Sequence, residues 1–348
     1  VHSYRSEVLA YAPSPGVPAY VEAVQRYYQR IGAPLAEGDI LATTGGSEAL
    51  QMAMSCILDE GDEILIPEPF YTNYNTFVHV AGGSIRPVPS SPEEGYRYAE
   101  RSRIEPLITE RTRAILVTNP GNPTGTVLTP EEMQLIADIA REHGIFLVAD
   151  EVYREFVYGG EPLSTFLTNP GIEENLIVVD SVSKRFSACG ARVGALISRN
   201  PEFIAQAMKL CQGRLCSATL DQLGAAALYS VDPDYFTATR DEYRRRRNAC
   251  VEGLHKIPGV VCGEPKGAFY LMAKLPVDDA DKFQTWLLEE FEDQGETLML
   301  APGEGFYATP GKGKNEIRIA YVLNEADIRR SMELLGIAIA RYQKEKMA

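Results

Sequence analysis

The chain reads as an α/β protein in which a mostly parallel central sheet carries helices on both faces and a smaller α+β domain follows it. Two patterns support that reading. From about residue 40 to 200, short apolar runs alternate with amphipathic helical stretches, which is the order that a parallel sheet covered on both faces requires. After about residue 235 the alternation stops, and a long charged helical stretch leads into short strands and a closing amphipathic helix. The expected division is a large domain over 1–235 and a small C-terminal domain over 236–348, joined through the long helix. A chain of 348 residues, 45% of them hydrophobic, has enough apolar side chains for both cores.

The predicted strands of the large sheet are EILIP from 63, AILVTN from 114, IFLVAD from 145, LIVVD from 176 and VGALIS from 193. Each is an apolar run of the length of a buried strand. Between them, TPEEMQLIADIAREHG from 129 has a Thr cap, a Pro in the first turn, Glu132 three residues after the cap and Gly144 at its end, a full set of helix start and stop signals. Beyond 235, YFTATRDEYRRRRNACVEGLHKI forms the connecting helix, GAFYLMAKL from 267 and EIRIAYV from 316 form strands, and NEADIRRSMELLGIAIARYQK closes the chain as a helix. The opening residues VHSYRSEVLAY are read as entering a helix. The chain starts on Val1, and a preceding N-terminal segment, or else a processed terminus, is expected.

Charge and composition narrow the function. A net charge of -14 and a pI near 4.9 argue against nucleic acid, which is bound through clustered Lys and Arg. The basic run RRRR at 244–247 lies within an acidic helical stretch and reads as a solvated helix face. Six cysteines without CxxC spacing, and histidines at 2, 79, 143 and 255, support neither a disulfide framework nor a metal site. Cys56, Cys211 and Cys250 read as buried free thiols, which suits a reducing cytoplasm. No apolar run approaches the roughly 18 residues of a membrane span. GEGFYA at 303–308 fits a nucleotide fingerprint in spelling but lacks the strand-turn-helix context.

Polar groups collect where the predicted strands end, which is where open α/β sheets bind ligands. TTGGSEAL at 43–50 brings Gly46 and Ser47 to a helix start, a seat for phosphate on exposed backbone N–H groups. NPGNPTG at 119–125 presents Asn122, VADEVY at 148–153 presents Asp150 and Tyr153, and SVSK at 181–184 presents Ser181, Ser183 and Lys184, with Arg192 eight residues on. Taken singly, GG marks a turn and Asp150 a helix cap. Their joint occurrence in this order has no such plain explanation.

These motifs resemble those of class I aminotransferases of pyridoxal 5'-phosphate fold type I, aspartate aminotransferase-like, from about Tyr11 to the C-terminal helix. The resemblance implies that Lys184 holds pyridoxal 5'-phosphate as a Schiff base and shuttles protons. Asp150 would face the pyridine nitrogen, and Asn122 and Tyr153 the ring oxygen. Gly46, Ser47, Ser181, Ser183 and Arg192 would hold the phosphate, and Tyr71 would stack on the ring, unless it is a surface aromatic at a helix start.

The substrate side follows from the same resemblance. Arg318 would bind the substrate α-carboxylate beside Asn122. Arg214 is the candidate distal cation for a dicarboxylate, the other reading being a helix-end arginine near a carbonyl. Tyr11 would reach the cofactor phosphate of a second subunit, implying a homodimer with shared sites. The implied reaction moves an amino group from an L-amino acid, aspartate first, to a 2-oxo acid such as 2-oxoglutarate by a ping-pong route. Alanine and aromatic donors, and lyase or synthase chemistry on the same fold, are the alternatives. A regulator that senses the cofactor without catalysis needs a DNA-binding module, and neither a basic helix-turn-helix nor a long linker is read here.

Overall fold

The computed structural model describes residues 8–158, 160 and 163–347. Its strands are β1 (Ile40–Thr43), β2 (Glu63–Pro67), β3 (Ser84–Val88), β4 (Thr112–Thr118), β5 (Phe146–Asp150), β6 (Leu176–Ser181), β7 (Gly194–Ile197), β8 (Val261–Cys262), β9 (Tyr270–Lys274), β10 (Ala301–Pro302) and β11 (Glu316–Ala320). The first seven form one sheet in the order β1-β7-β6-β5-β4-β2-β3, and the last four a second in the order β10-β11-β9-β8. Strands β2 to β6 pair in parallel. Strand β7 runs antiparallel to both neighbours, because the link 182–193 holds only a one-turn helix and a loop, not the crossover a parallel return needs.

Alternation along the strands divides the first sheet's side chains between two cores. Ile115, Val117, Leu147, Ala149 and Val178 pack with Tyr20, Val24 and Tyr28 of the helix Pro18–Arg30 and Ile136 of Pro130–Glu142. Ala114, Leu116, Val148, Ile177 and Val179 pack on the other face with Ala49, Met52 and Ala53 of the helix Gly45–Ile57 and Phe203 and Ala207 of Pro201–Gly213. The second sheet has its own core against the helices Asp234–Leu254, Ala280–Glu289 and Glu325–Lys346.

The helix after Thr129 forms as its caps dictate. Thr129 accepts from the Glu132 amide at 3.3 Å, Glu132 accepts from the Thr129 amide at 2.8 Å, and Gly144 takes a φ of 62° just past the end. Two expectations are corrected. The opening helix is absent between Val8 and Val17, and the first described helix begins at Pro18; Pro13, Pro15 and Gly16 break helical continuity, while Pro18 suits a first turn. Residues 1–7 lie outside the described residues. Of the RRRR run, Arg244 pairs with Asp241, and Arg245 and Arg246 pair with Glu242, as on a solvated face, but Arg247 is buried and its guanidinium bonds to Glu264 and the Pro265 carbonyl.

Candidate active site

The carboxyl ends of β4, β5 and β6 and the start of the helix Gly45–Ile57 enclose a cavity of about 290 Å³, closed on its far side by Tyr270 and Arg318 of the second sheet. Gly46, Ser47, Tyr71, Asn122, Asp150, Tyr153, Ser181, Ser183, Lys184, Arg192 and Arg318 all line it. Sequence separation thus becomes spatial convergence at the strand ends.

Lys184 sits in the one-turn helix Val182–Arg185, whose cap Ser181 accepts from the Ser183 amide at 3.1 Å and donates to the Ser183 hydroxyl at 2.8 Å. The Lys184 Nζ lies 5.9 Å from the ring centroids of Tyr153 and Phe269 and 3.9 Å from the Cys189 Sγ. Arg192 occupies the left-handed region, with a φ of 52°, and its guanidinium crosses the start of the helix Gly45–Ile57. That crossing requires glycine at 45: a Cβ there would stand 2.5 Å from the Arg192 Nη2, and the φ of Gly45 is 72°. Backbone N–H groups, two hydroxyls and a guanidinium therefore meet at one end of the cavity, the donor set of an oxyanion seat.

Asp150 ends β5, nearly fully buried. Its Oδ2 accepts from the Tyr74 hydroxyl at 2.7 Å and its Oδ1 from the Val152 amide at 3.3 Å. Burial pushes its pKa up to about 6, and the two hydrogen bonds oppose that rise. With the Tyr74 O–H directed at Asp150, the Thr118 hydroxyl is the donor in its 2.6 Å contact with Tyr74. Tyr153 is buried, its hydroxyl donates to that of Tyr270 at 3.3 Å, and burial keeps the phenol protonated. Tyr71 is half-buried and packs edge-on against Tyr74 with centroids 5.5 Å apart.

Arg318 projects from β11 between the rings of Tyr270 and Phe306, 4.6 and 4.9 Å from their centroids, and its Nη1 donates to the Asn122 Oδ1 at 3.3 Å. Its Nε has no hydrogen-bond partner among the described residues. A guanidinium held by π faces with a donor left over is prepared for an anion.

Two anticipated residues lie elsewhere. Tyr11 is 78% exposed and outside the cavity of its own chain. Arg214, the candidate distal cation, follows the helix Pro201–Gly213; its guanidinium is paired with Glu48 and with the Ala42 carbonyl, as the helix-end reading expects, and it does not line the cavity. Six lining residues escaped sequence reasoning: Leu50, Tyr74, Thr118, Val152, Cys189 and Tyr270. Tyr74 lies in the helix Asn73–Val80 while Tyr71 precedes its cap Thr72, and the two rings meet edge-on at the cavity wall.

The family model described as aminotransferase class I and II matches residues 3–335. The chain belongs to the class I and II aminotransferases. An aspartate aminotransferase of Musicola paradisiaca is 30% identical over 352 residues, covering 98% of this chain and 84% of that protein. Among solved structures, an aspartate aminotransferase from Thermus thermophilus with maleate superposes with a TM-score of 0.83 at 30% identity, covering 94% of this chain and 84% of that one. An aromatic aminotransferase from Pyrococcus horikoshii superposes with a TM-score of 0.86 at 28% identity, covering 97% and 88%. This aminotransferase has no helix, among the described residues, long and apolar enough to cross a membrane.

Proposed function

We propose that this aminotransferase binds pyridoxal 5'-phosphate in the 290 Å³ cavity and moves an amino group from an L-amino acid to a 2-oxo acid such as 2-oxoglutarate by a ping-pong route. The observation that carries the reading is the position of Lys184 in one cavity with an oxyanion seat, the buried carboxylate of Asp150 and the part-satisfied guanidinium of Arg318. When bound, the cofactor supplies a carbonyl that takes up and returns the amino group and a ring that accepts electrons.

The residues present fit that group. The Gly46 and Ser47 backbone, the Ser181 and Ser183 hydroxyls and Arg192 bind its phosphate. Asp150 holds a proton at the ring nitrogen, a task suited to a buried carboxylate whose charge the cation would relieve. Asn122 and Tyr153 bind the ring oxygen, and Tyr71 covers the ring. Lys184 Nζ is the covalent anchor, and when free it carries the proton to or from the substrate Cα. Arg318 orients the α-carboxylate through its planar fork.

Aspartate is the first donor to try, because relatives along most of this chain bear the name aspartate aminotransferase. Aromatic donors form a second reading, supported by the rings of Tyr71, Tyr74 and Tyr270 in the cavity wall and by the withdrawal of Arg214. The reading includes a homodimer in which the exposed Tyr11 reaches the other subunit's cofactor, a cytoplasmic setting, and a domain division near residue 235. A screen of amino donors against 2-oxo acids tests it: the cofactor-loaded chain should convert at least one pair, with each donor alone yielding its oxo acid. Release of no oxo acid from aspartate, alanine or aromatic donors would refute it.

A further inference from the structure

Two buried carboxylates outside the cavity tie the two sheets together reciprocally. Glu68, just beyond β2, is 1% exposed and accepts from the amides of Ala308 and Thr309 at 3.1 and 3.0 Å and from the Thr309 hydroxyl at 2.7 Å, with the Lys312 Nζ at 3.7 Å. Glu316, which opens β11, is 6% exposed and its Oε2 accepts from the hydroxyls of Tyr96 and Tyr307 at 2.9 and 2.7 Å. Burial, and then the charge of Glu316, push both phenols well above their ordinary pKa, so both remain donors. Each half of the chain therefore donates to a carboxylate of the other half.

Apolar packing alone would hold two sheets together, and a buried carboxylate is unfavourable unless several donors surround it. What these carboxylates add is direction, since charge-assisted hydrogen bonds fix register as well as distance. The parts they fix are those that touch the cavity. Glu316 and Arg318 are two apart on one strand and so share a face. Phe306, whose ring flanks Arg318, is held by its carbonyl to the Phe70 amide at 2.9 Å, between Glu68 and the cavity residue Tyr71. Arg318 on the second sheet thereby meets Asn122, which follows β4 of the first, at 3.3 Å.

We propose that Glu68 and Glu316 are positioning residues for substrate binding, a two-carboxylate clamp that sets Arg318 against Asn122 and Lys184. This inference rests on the reading of Arg318 as the seat of the substrate carboxylate. The clamp acts on the substrate end of the cavity and leaves the cofactor end alone.

The test compares Glu68→Gln and Tyr96→Phe with the parent and with Arg318→Gln, each loaded with pyridoxal 5'-phosphate. Both clamp variants should raise KM for the amino donor by about tenfold, with kcat and cofactor affinity close to the parent's. In Glu68→Gln the amides of Ala308 and Thr309 should exchange hydrogen faster. Combining Glu68→Gln with Arg318→Gln should add little to the KM of Arg318→Gln alone, the non-additivity expected of residues acting through one another. Tyr96→Phe removes a single hydroxyl and carries the test if Glu68→Gln does not fold. An unchanged KM in the clamp variants beside a raised KM in Arg318→Gln overturns the clamp and leaves the reading of Arg318 standing, as does full additivity in the double variant. An unchanged KM in Arg318→Gln overturns both.

Discussion

The Tyr74 hydroxyl donates to the Asp150 Oδ2 across 2.7 Å, and this bond is one of two that restrain a carboxyl which burial drives up to a pKa of about 6. Asp150 is thus held in the folded chain against its own desolvation. Perturbed groups of this kind cluster at functional sites, which is the ground for the proposed role of Asp150.

The consequence for pH follows from linkage. The folded carboxyl of Asp150 keeps its proton up to about pH 6, whereas the unfolded one loses it near its ordinary value of 3.8. Across that window the folded state binds more protons, so this group's contribution to stability falls as pH rises and stays lower above it. Asp150→Asn should therefore gain on the parent between pH 4 and 7, by at most about 3 kcal/mol in the cofactor-free chain, from a shift of about two units at 1.36 kcal/mol each. Urea unfolding at both pH values measures it, and Tyr74→Phe, which removes a restraining donor, should show a steeper fall than the parent.

How far these features were legible depends on whether the chemistry is local. LIVVD and IFLVAD announce buried strands by composition alone; IFLVAD ends on Asp150 and LIVVD ends four residues before Lys184, so both residues could be placed at the sheet's carboxyl edge without coordinates. Arg214 could not, because the partner that removes it from the site is Glu48, 166 positions earlier, and no local pattern records that pairing. Glu316 in EIRIAYV alternates with Ile as an exposed residue would, yet it is buried under Tyr96. The antiparallel sense of β7 follows from link length, which the motif-bearing loop obscured.

The seat at the helix start depends on Gly45. Gly45→Ala puts a methyl 2.5 Å from the Arg192 Nη2 at a backbone φ of 72°, so both strain and displacement of the guanidinium follow. Affinity for pyridoxal 5'-phosphate should fall by about ten- to a hundredfold, the scale of a lost charge-assisted contact. Fluorescence titration of the cofactor-free chain reads it.

Beneath Lys184 a buried network joins Arg154 to Glu151 at 2.6 Å and Arg185 to Asp180 at 2.8 Å, with the Tyr28 hydroxyl accepting from Arg154 at 2.6 Å. Arg154 and Glu151 are each 1% exposed. Arg154→Met leaves Glu151 charged and without that partner, and should destabilise the chain by about 3 to 5 kcal/mol. Denaturant midpoints supply the measurement.

Because Arg214 is committed to Glu48 and to the Ala42 carbonyl, Arg214→Ala should lower turnover of aspartate and alanine by similar factors. A loss confined to aspartate in steady-state assays would return Arg214 to the role of distal cation.

The central claim is that Lys184 is the covalent anchor of the cofactor and is freed when an amino donor takes its place. Borohydride treatment of the loaded chain, followed by peptide mass analysis, tests this most directly. The reading predicts one reduced pyridoxyl adduct on the peptide containing Lys184, absent from Lys184→Ala and absent from the parent once an amino donor has been added and its oxo acid released. An adduct on another lysine, or one that persists unchanged in Lys184→Ala, would contradict it.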